Sequence, residues 1–323
     1  MKMNFYGNLT CCGTHAMYSA YFQNWRYEDI MQFEAFTTVP FGVVNKIENP
    51  FRVFTCYCDP DEGIDRALQA LEIPYRIHYQ TEEGDSYQSL ALMDEWLLYK
   101  PVVLGPLNME YLTYILHSHL FECMDHFICV LGKEGEDYII SDSEGISISR
   151  INRSELIRAW EGDKIPEGRG KYIMRQVLIE EKPVFQKEQY KRIFPMFIEN
   201  MKQCEELPNG GSNGLHTIMK HSGKIMEDVN LQRRMCFDIP VRMQRCVIMN
   251  NCLAIMNDVF QDSRIQEECR GVSRMLKQQL EGYTTSLGKL RKRDTDAFES
   301  FGKIADIEHK ISGKLAGIGE CLL

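Results

Sequence analysis

The sequence predicts an α+β chain in two parts: a mixed strand-and-helix domain over residues 1–182 and an all-helical domain over 187–323. Two observations carry this. Up to about residue 180, short runs that alternate with period two are interleaved with short runs of helical spacing. From Lys187 onward the strand signals stop. Leu276, Leu280, Tyr283, Leu287 and Leu290 then recur at three- and four-residue intervals, and Phe301, Ile304, Ile311, Leu315 and Ile318 keep the same phase with one step of seven. Apolar stripes of this kind need a partner, so the second part is expected to be a helical bundle packed on itself or on the first part.

The elements of the first part follow in order. Residues 16–25 have helical spacing. Residues 51–57 alternate as a strand does. Residues 61–71 read as a helix, capped by Asp59 or Asp61 with Pro60 in the first turn. A short strand is expected at 75–79, a helix at 87–99 and a buried strand at 101–104. Residues 127–131 and 138–141 are two strands, and Gly132 to Gly135 between them signals a hairpin. A helix opens at Ser154 and a strand runs over 171–179. In the second part Leu215, Ile218, Met219, Met226 and Val229 read as one helical face. The Met-rich run 243–256 reads as core, since Met fills irregular gaps. Residues 208–214 (PNGGSNG) read as a flexible connection between helices.

Composition narrows the function classes. A net charge of −9 argues against nucleic acid or an anionic membrane as partner. No apolar stretch approaches the roughly 20 residues a membrane span needs. Residues 1–10 lack a basic segment followed by an apolar run, so a cytoplasm with reduced thiols is expected for the 12 cysteines. No C-x-x-C occurs. Cys56-Tyr57-Cys58 and His117-Ser118-His119 lack a second ligand pair at zinc spacing, so no metal and no cofactor are expected. A monomer and a homo-oligomer both stay open.

The stretch GNLTCCGTHAMYSAYF, residues 7–22, sets two cysteines just ahead of a helical run. A thiol at a helix N-terminus meets unpaired N–H groups and the positive end of the helix dipole, which favour the thiolate. Cys12 occupies that place. Gly13 allows a tight turn, and Cys11 lies one step earlier as the alternative nucleophile. The stretch DHFICVLGKEGEDYIISDSEG, residues 125–145, sets His126 just before one hairpin strand and Asp142 at the end of the other. Antiparallel pairing makes those ends neighbours. A carboxylate that accepts from one ring nitrogen leaves the other to hold a thiol as thiolate. Cys12, His126 and Asp142 thus form a candidate catalytic triad.

The motifs CG-x-x-A-M, HF-x-x-V-L-G-x(5)-Y-I-I-x-D and S-x-x-E-L-I-R-A-W resemble the papain-like (C39-peptidase-like) cysteine enzymes. The layout is more closely similar to the N-terminal domain family of the butirosin biosynthesis protein BtrH, over about residues 5–180. The resemblance implies a papain-like domain followed by a helical region. It implies an acyltransferase or amide synthase that takes an acyl group from the phosphopantetheine thioester of an acyl or peptidyl carrier protein and passes it to a small amine, as in closthioamide-type assembly. The alternatives are a C39-like cysteine peptidase or thioester hydrolase, and a noncatalytic binding protein. Cys12 matches the family's nucleophile, His126 its base and Asp142 its orienting carboxylate. The oxyanion glutamine of C39 peptidases is replaced here by Tyr6. Asn8 is the nearest amide and the substitute donor, with the Cys12 backbone N–H as the second. His15, one turn beyond Cys12, reads as structural or solvent-facing. Arg26, Arg52, Lys100 and Lys171 are candidate contacts for an acidic carrier or for a phosphopantetheine phosphate.

Overall fold

The computed structural model describes residues 11–21, 25–47, 51–81, 84–144, 146–166, 168–179 and 183–322. In chain order the first elements are α1 (Cys12–Tyr21), α2 (Tyr27–Thr37), β1 (Val43–Lys46), β2 (Arg52–Cys56), α3 (Pro60–Ala70) and β3 (Tyr75–Gln80). There follow α4 (Ser86–Leu97), β4 (Val102–Asn108), β5 (Asp125–Glu134), β6 (Asp137–Asp142), β7 (Ile146–Asn152), α5 (Arg153–Trp160) and β8 (Lys171–Val177). The rest is helical: α6 (Lys187–Glu206), α7 (Gly211–Lys220), α8 (Ser222–Glu227), α9 (Val229–Val259), α10 (Ser263–Arg291) and α11 (Glu299–Leu322). No helix among the described residues is long and apolar enough to cross a membrane.

The chain divides into two compact units, Met1–Phe33 with Asp59–Val184, and Glu34–Cys58 with Phe185–Leu323. The segment Glu34–Cys58, assigned by its strand pattern to the first domain, therefore packs within the mostly helical unit. Its aromatic side chains supply the reason. Phe41 stacks on Phe197 of α6 with centroids 3.8 Å apart, and Phe54 meets Tyr283 of α10 edge-on.

The first unit is built on an antiparallel sheet of six strands in the order β3-β8-β4-β5-β6-β7. All seven residues of β4 are buried, as expected of a mid-sheet strand covered on both faces. Helix α1 packs on β4, β5 and β6. Helix α3 starts where Asp59 accepts the Asp61 N–H at 2.8 Å, with Pro60 at the first helical position. It is tied to β8 by Arg175, fully buried, whose Nε donates to Asp65 Oδ1 at 2.7 Å and which also reaches Asp61. Arg169 adds bonds to both carboxylates. A buried guanidinium needs such partners to offset its lost hydration. Ile64 of α3 lies so close to Gly13 that a Cβ there would sit 2.9 Å from its Cδ1, so α3 backs the start of α1.

Gly105 brings β4 and β5 together beside His126. Its φ of +144° is a glycine conformation, and a Cβ would lie 2.3 Å from the Phe127 ring and 2.7 Å from the His126 carbonyl. Gly105→Ala is expected to destabilise the protein by about 2–3 kcal/mol, read from denaturant melts. An unchanged midpoint would mean that the strands tolerate the methyl group.

Several local expectations are corrected. The hairpin turns at Gly135 and Glu136, because β5 continues through Gly132 with an irregular register between Val130 and Gly132. The proposed face from Leu215 to Val229 is split over α7, α8 and the start of α9; Leu215 and Ile218 are buried but Val229 is exposed. Residues 208–214 are not a loose tether. Helix α7 begins at Gly211, the Asn209 carbonyl accepts from the Asn45 N–H at 2.8 Å, and a Cβ on Gly214 would meet the same carbonyl at 2.5 Å. These glycines serve close packing.

The second unit carries α9, α10 and α11 side by side, with the β1–β2 pair. Its core includes a polar link: Arg242 of α9 grips Glu308 of α11 at 2.8 and 2.9 Å, and Gln279 of α10 donates to the same carboxylate at 2.6 Å. Met249 and Met256 are buried, while Met243 is half-buried.

Candidate active site

Cys12 is the first residue of α1 and is half-buried. Its N–H belongs to the first turn, which has no intrahelical acceptors, so positive partial charge collects there. Ala16 and Met17, fully buried, hold the helix against the sheet. Cys11, just outside the helix, is buried, and its carbonyl accepts the His15 N–H at 2.9 Å. His15 is wholly buried, which leaves the structural of its two readings and removes the solvent-facing one; α1 is covered on nearly every side.

His126 enters from β5, where it pairs with Leu107 of β4. Asp142 is the last residue of β6. The β5–β6 register pairs Cys129 with Ser141; one step further sets Asp142 opposite Ile128 and diagonal to His126 on the same face. The pairing is realised: His126 Nε2 donates to Asp142 Oδ1 at 2.8 Å, with both side chains buried. Only Nδ1 remains for other partners, and the Cys12 thiol lies close enough to this ring for each to shift the other's ionisation. Cys12, His126 and Asp142, from three separate elements, form one chain of contacts.

Asp142 has further donors. Tyr114 Oη donates to Oδ2 at 2.6 Å, and the Glu144 N–H donates to Oδ1 at 3.0 Å. Tyr114 carries no signal in the sequence: it lies in a stretch between two short 3-10 turns, with no spacing relation to Asp142. The Glu144 contact is more local, two residues beyond the strand end.

The electrostatics follow from burial and these contacts. Burial works against the Asp142 carboxylate, but the charge of His126 and the three hydrogen bonds hold it below the usual range. Burial also opposes a charged imidazole, yet Asp142 outweighs it and raises His126 well above the ordinary value. Burial pushes the Cys12 thiol up; the His126 ring and the Phe127 N–H draw it back part of the way. Glu144 is raised by burial, opposed by His126. A proton-accepting ring, held by an ionised carboxylate beside a thiol, is equipped for nucleophilic attack on a carbonyl carbon.

Asn8 and Tyr6 lie outside the described residues. His117 and His119 are exposed, their rings 6.0 Å apart. Arg52 is buried, which removes it as a surface contact for a carrier. Lys171 meets Glu161 at 2.8 Å, Lys100 donates to the Leu178 carbonyl, and Arg26 lies 3.7 Å from Asp29. Cys56 contacts Arg245 at 2.9 Å and Cys58 lies near Thr38 and Asn200. Among the described residues no cluster of three or more histidine, cysteine or acidic side chains could hold a metal ion.

No protein-family model matches the chain. The chain is similar to the uncharacterized protein YobF of Bacillus subtilis (strain 168), with 28% identity over 137 residues, 42% of this chain and 43% of that protein. The match thus spans less than half the length of that relative.

Proposed function

We propose that the protein is a cysteine acyltransferase that forms amides, with Cys12 as nucleophile, His126 as base and acid, and Asp142 as the carboxylate that orients the ring. The observation that carries this reading is the continuous Cys12–His126–Asp142 contact. In the same reading the first unit is papain-like: a helix with the cysteine at its N-terminus, packed on an antiparallel sheet whose strand presents the histidine.

The Cys12 thiolate attacks the carbonyl carbon of a pantetheine thioester. The Cys12 backbone N–H, at the helix start, is oriented to favour the oxyanion. The carbon–sulfur bond to pantetheine breaks, and the departing thiolate takes the proton from the His126 imidazolium. An amine then attacks the acyl-Cys12 thioester and gives its proton to His126; Cys12 leaves and the amide is released. A thioester needs little help in expelling its leaving group, so this triad suits it well. The substrate is carried on phosphopantetheine of an acyl or peptidyl carrier protein, the acceptor is a small amine, and the site of action is the cytoplasm. The chain's charge of −9 favours a cationic acceptor.

Incubation with an acyl-pantetheine thioester and a small diamine is expected to give amide with ping-pong kinetics. Cleavage of peptides at a defined motif, with only free acid from every thioester and amine pair, would replace transfer by peptidase or hydrolase chemistry.

A further inference from the structure

We infer that Tyr114 is a positioning residue of this site: it pins the second oxygen of Asp142, and so fixes the orientation and tautomer of His126. The inference rests on the triad reading above and extends it to a residue outside the triad.

Asp142 is fully buried, so each of its oxygens needs a donor or the carboxylate loses its charge. Oδ1 serves His126 Nε2 and the Glu144 N–H, and Oδ2 takes the Tyr114 hydroxyl at 2.6 Å. That length is typical of a hydroxyl donating to an ionised carboxylate. Rotation of the carboxylate about its Cβ–Cγ bond would exchange the two oxygens and break the bond to His126. A donor on each oxygen removes that freedom.

The stretch that presents Tyr114 is built to hold it still. Leu112 and Ile115 on either side are buried, and the Ile115 N–H donates to the Leu112 carbonyl at 2.9 Å. Thr113 Oγ1 donates to Glu155 of α5 at 2.9 Å. Asn108, at the end of β4, caps the preceding turn through the Glu110 N–H at 3.1 Å. Burial and the Asp142 charge raise the phenol well above its ordinary range, so it stays a protonated donor at any working pH.

The titratable groups around Asp142 are His126 from β5, Tyr114 from the turn region and Glu144 just beyond β6; Cys12 of α1 and Asp125 of β5 act on the far side of the ring. As the pH falls, protonation of Asp142 removes the charge that stabilises the His126 imidazolium, and the Cys12 thiolate loses its cationic partner. The tyrosine bond favours the ionised carboxylate and holds that loss to lower pH.

The test is the pH dependence of Cys12 alkylation by iodoacetamide, followed by intact mass, in the full chain. Tyr114→Phe keeps the ring and removes the donor. Its acid limb is expected to move up by about one pH unit, so that alkylation at a pH on that limb is about tenfold slower. Incorporation of 3-fluorotyrosine at position 114 keeps the hydroxyl and strengthens its donation, so the limb should move down; this arm also serves if the phenylalanine variant folds poorly. Wild-type limbs in both proteins would overturn the role of Tyr114 and leave the triad standing. Equal alkylation of wild type and His126→Ala would instead overturn the triad, and this inference with it.

Discussion

Cys12→Ala yields no acyl adduct by intact mass after mixing with a pantetheine thioester, while Cys11→Ala still forms one. The argument is positional. Both residues carry the same thiol, but Cys12 opens α1 beside the His126 ring, whereas Cys11 precedes the helix and is buried. A nucleophile must be partly exposed and must have a base to share its proton with. Cys12 meets both conditions. The expected loss is complete, because the adduct is carried on the Cys12 sulfur and alanine has none. An adduct that persists in Cys12→Ala and vanishes in Cys11→Ala would exchange the two roles.

His126→Ala slows acyl transfer by on the order of 10³-fold, about 4 kcal/mol of lost transition-state stabilisation. The ring performs two jobs here. It favours the thiolate for attack, and it accepts the proton of the incoming amine. Removing it leaves Cys12 with the burial that disfavours its ionised form and without the charge that opposes it. It also leaves Asp142 buried with one donor fewer, which moves the carboxylate toward its protonated form. The variant should therefore show its thiolate only at higher pH, which a thiol-alkylation profile reads independently of turnover. Wild-type turnover in His126→Ala would end the triad reading.

Much of the candidate site was legible because part of it is local. His126 and Asp142 flank a single hairpin, and strand alternation decides which side chains share a face. A misplaced turn did not matter: the chain reverses at Gly135 and Glu136 rather than over Gly132 to Gly135, yet the strand ends still meet. Helix caps were legible for the same reason, as at Asp59 and Pro60. Other elements were missed. Strand β7, Ile146–Asn152, shows apolar and polar alternation in ISISRIN, but it is an edge strand of which only Ile151 is buried. Helix α2 is buried on most faces, Asp29 and Glu34 included, and its hydrophobic pattern points to no single side.

The sequence by itself determined the order of most elements, the change from mixed to helical character near Lys187, and the nearness of His126 to Asp142. Each rests on contacts between residues close in the chain, where spacing and turn chemistry suffice. Only the tertiary structure decided that Cys12 meets the His126 ring, that Tyr114 donates to Asp142, and that Glu34–Cys58 packs with the helical unit. These contacts join distant segments. They are selected by burial and by the demand that every buried charge find a partner, and neither leaves a period in the sequence.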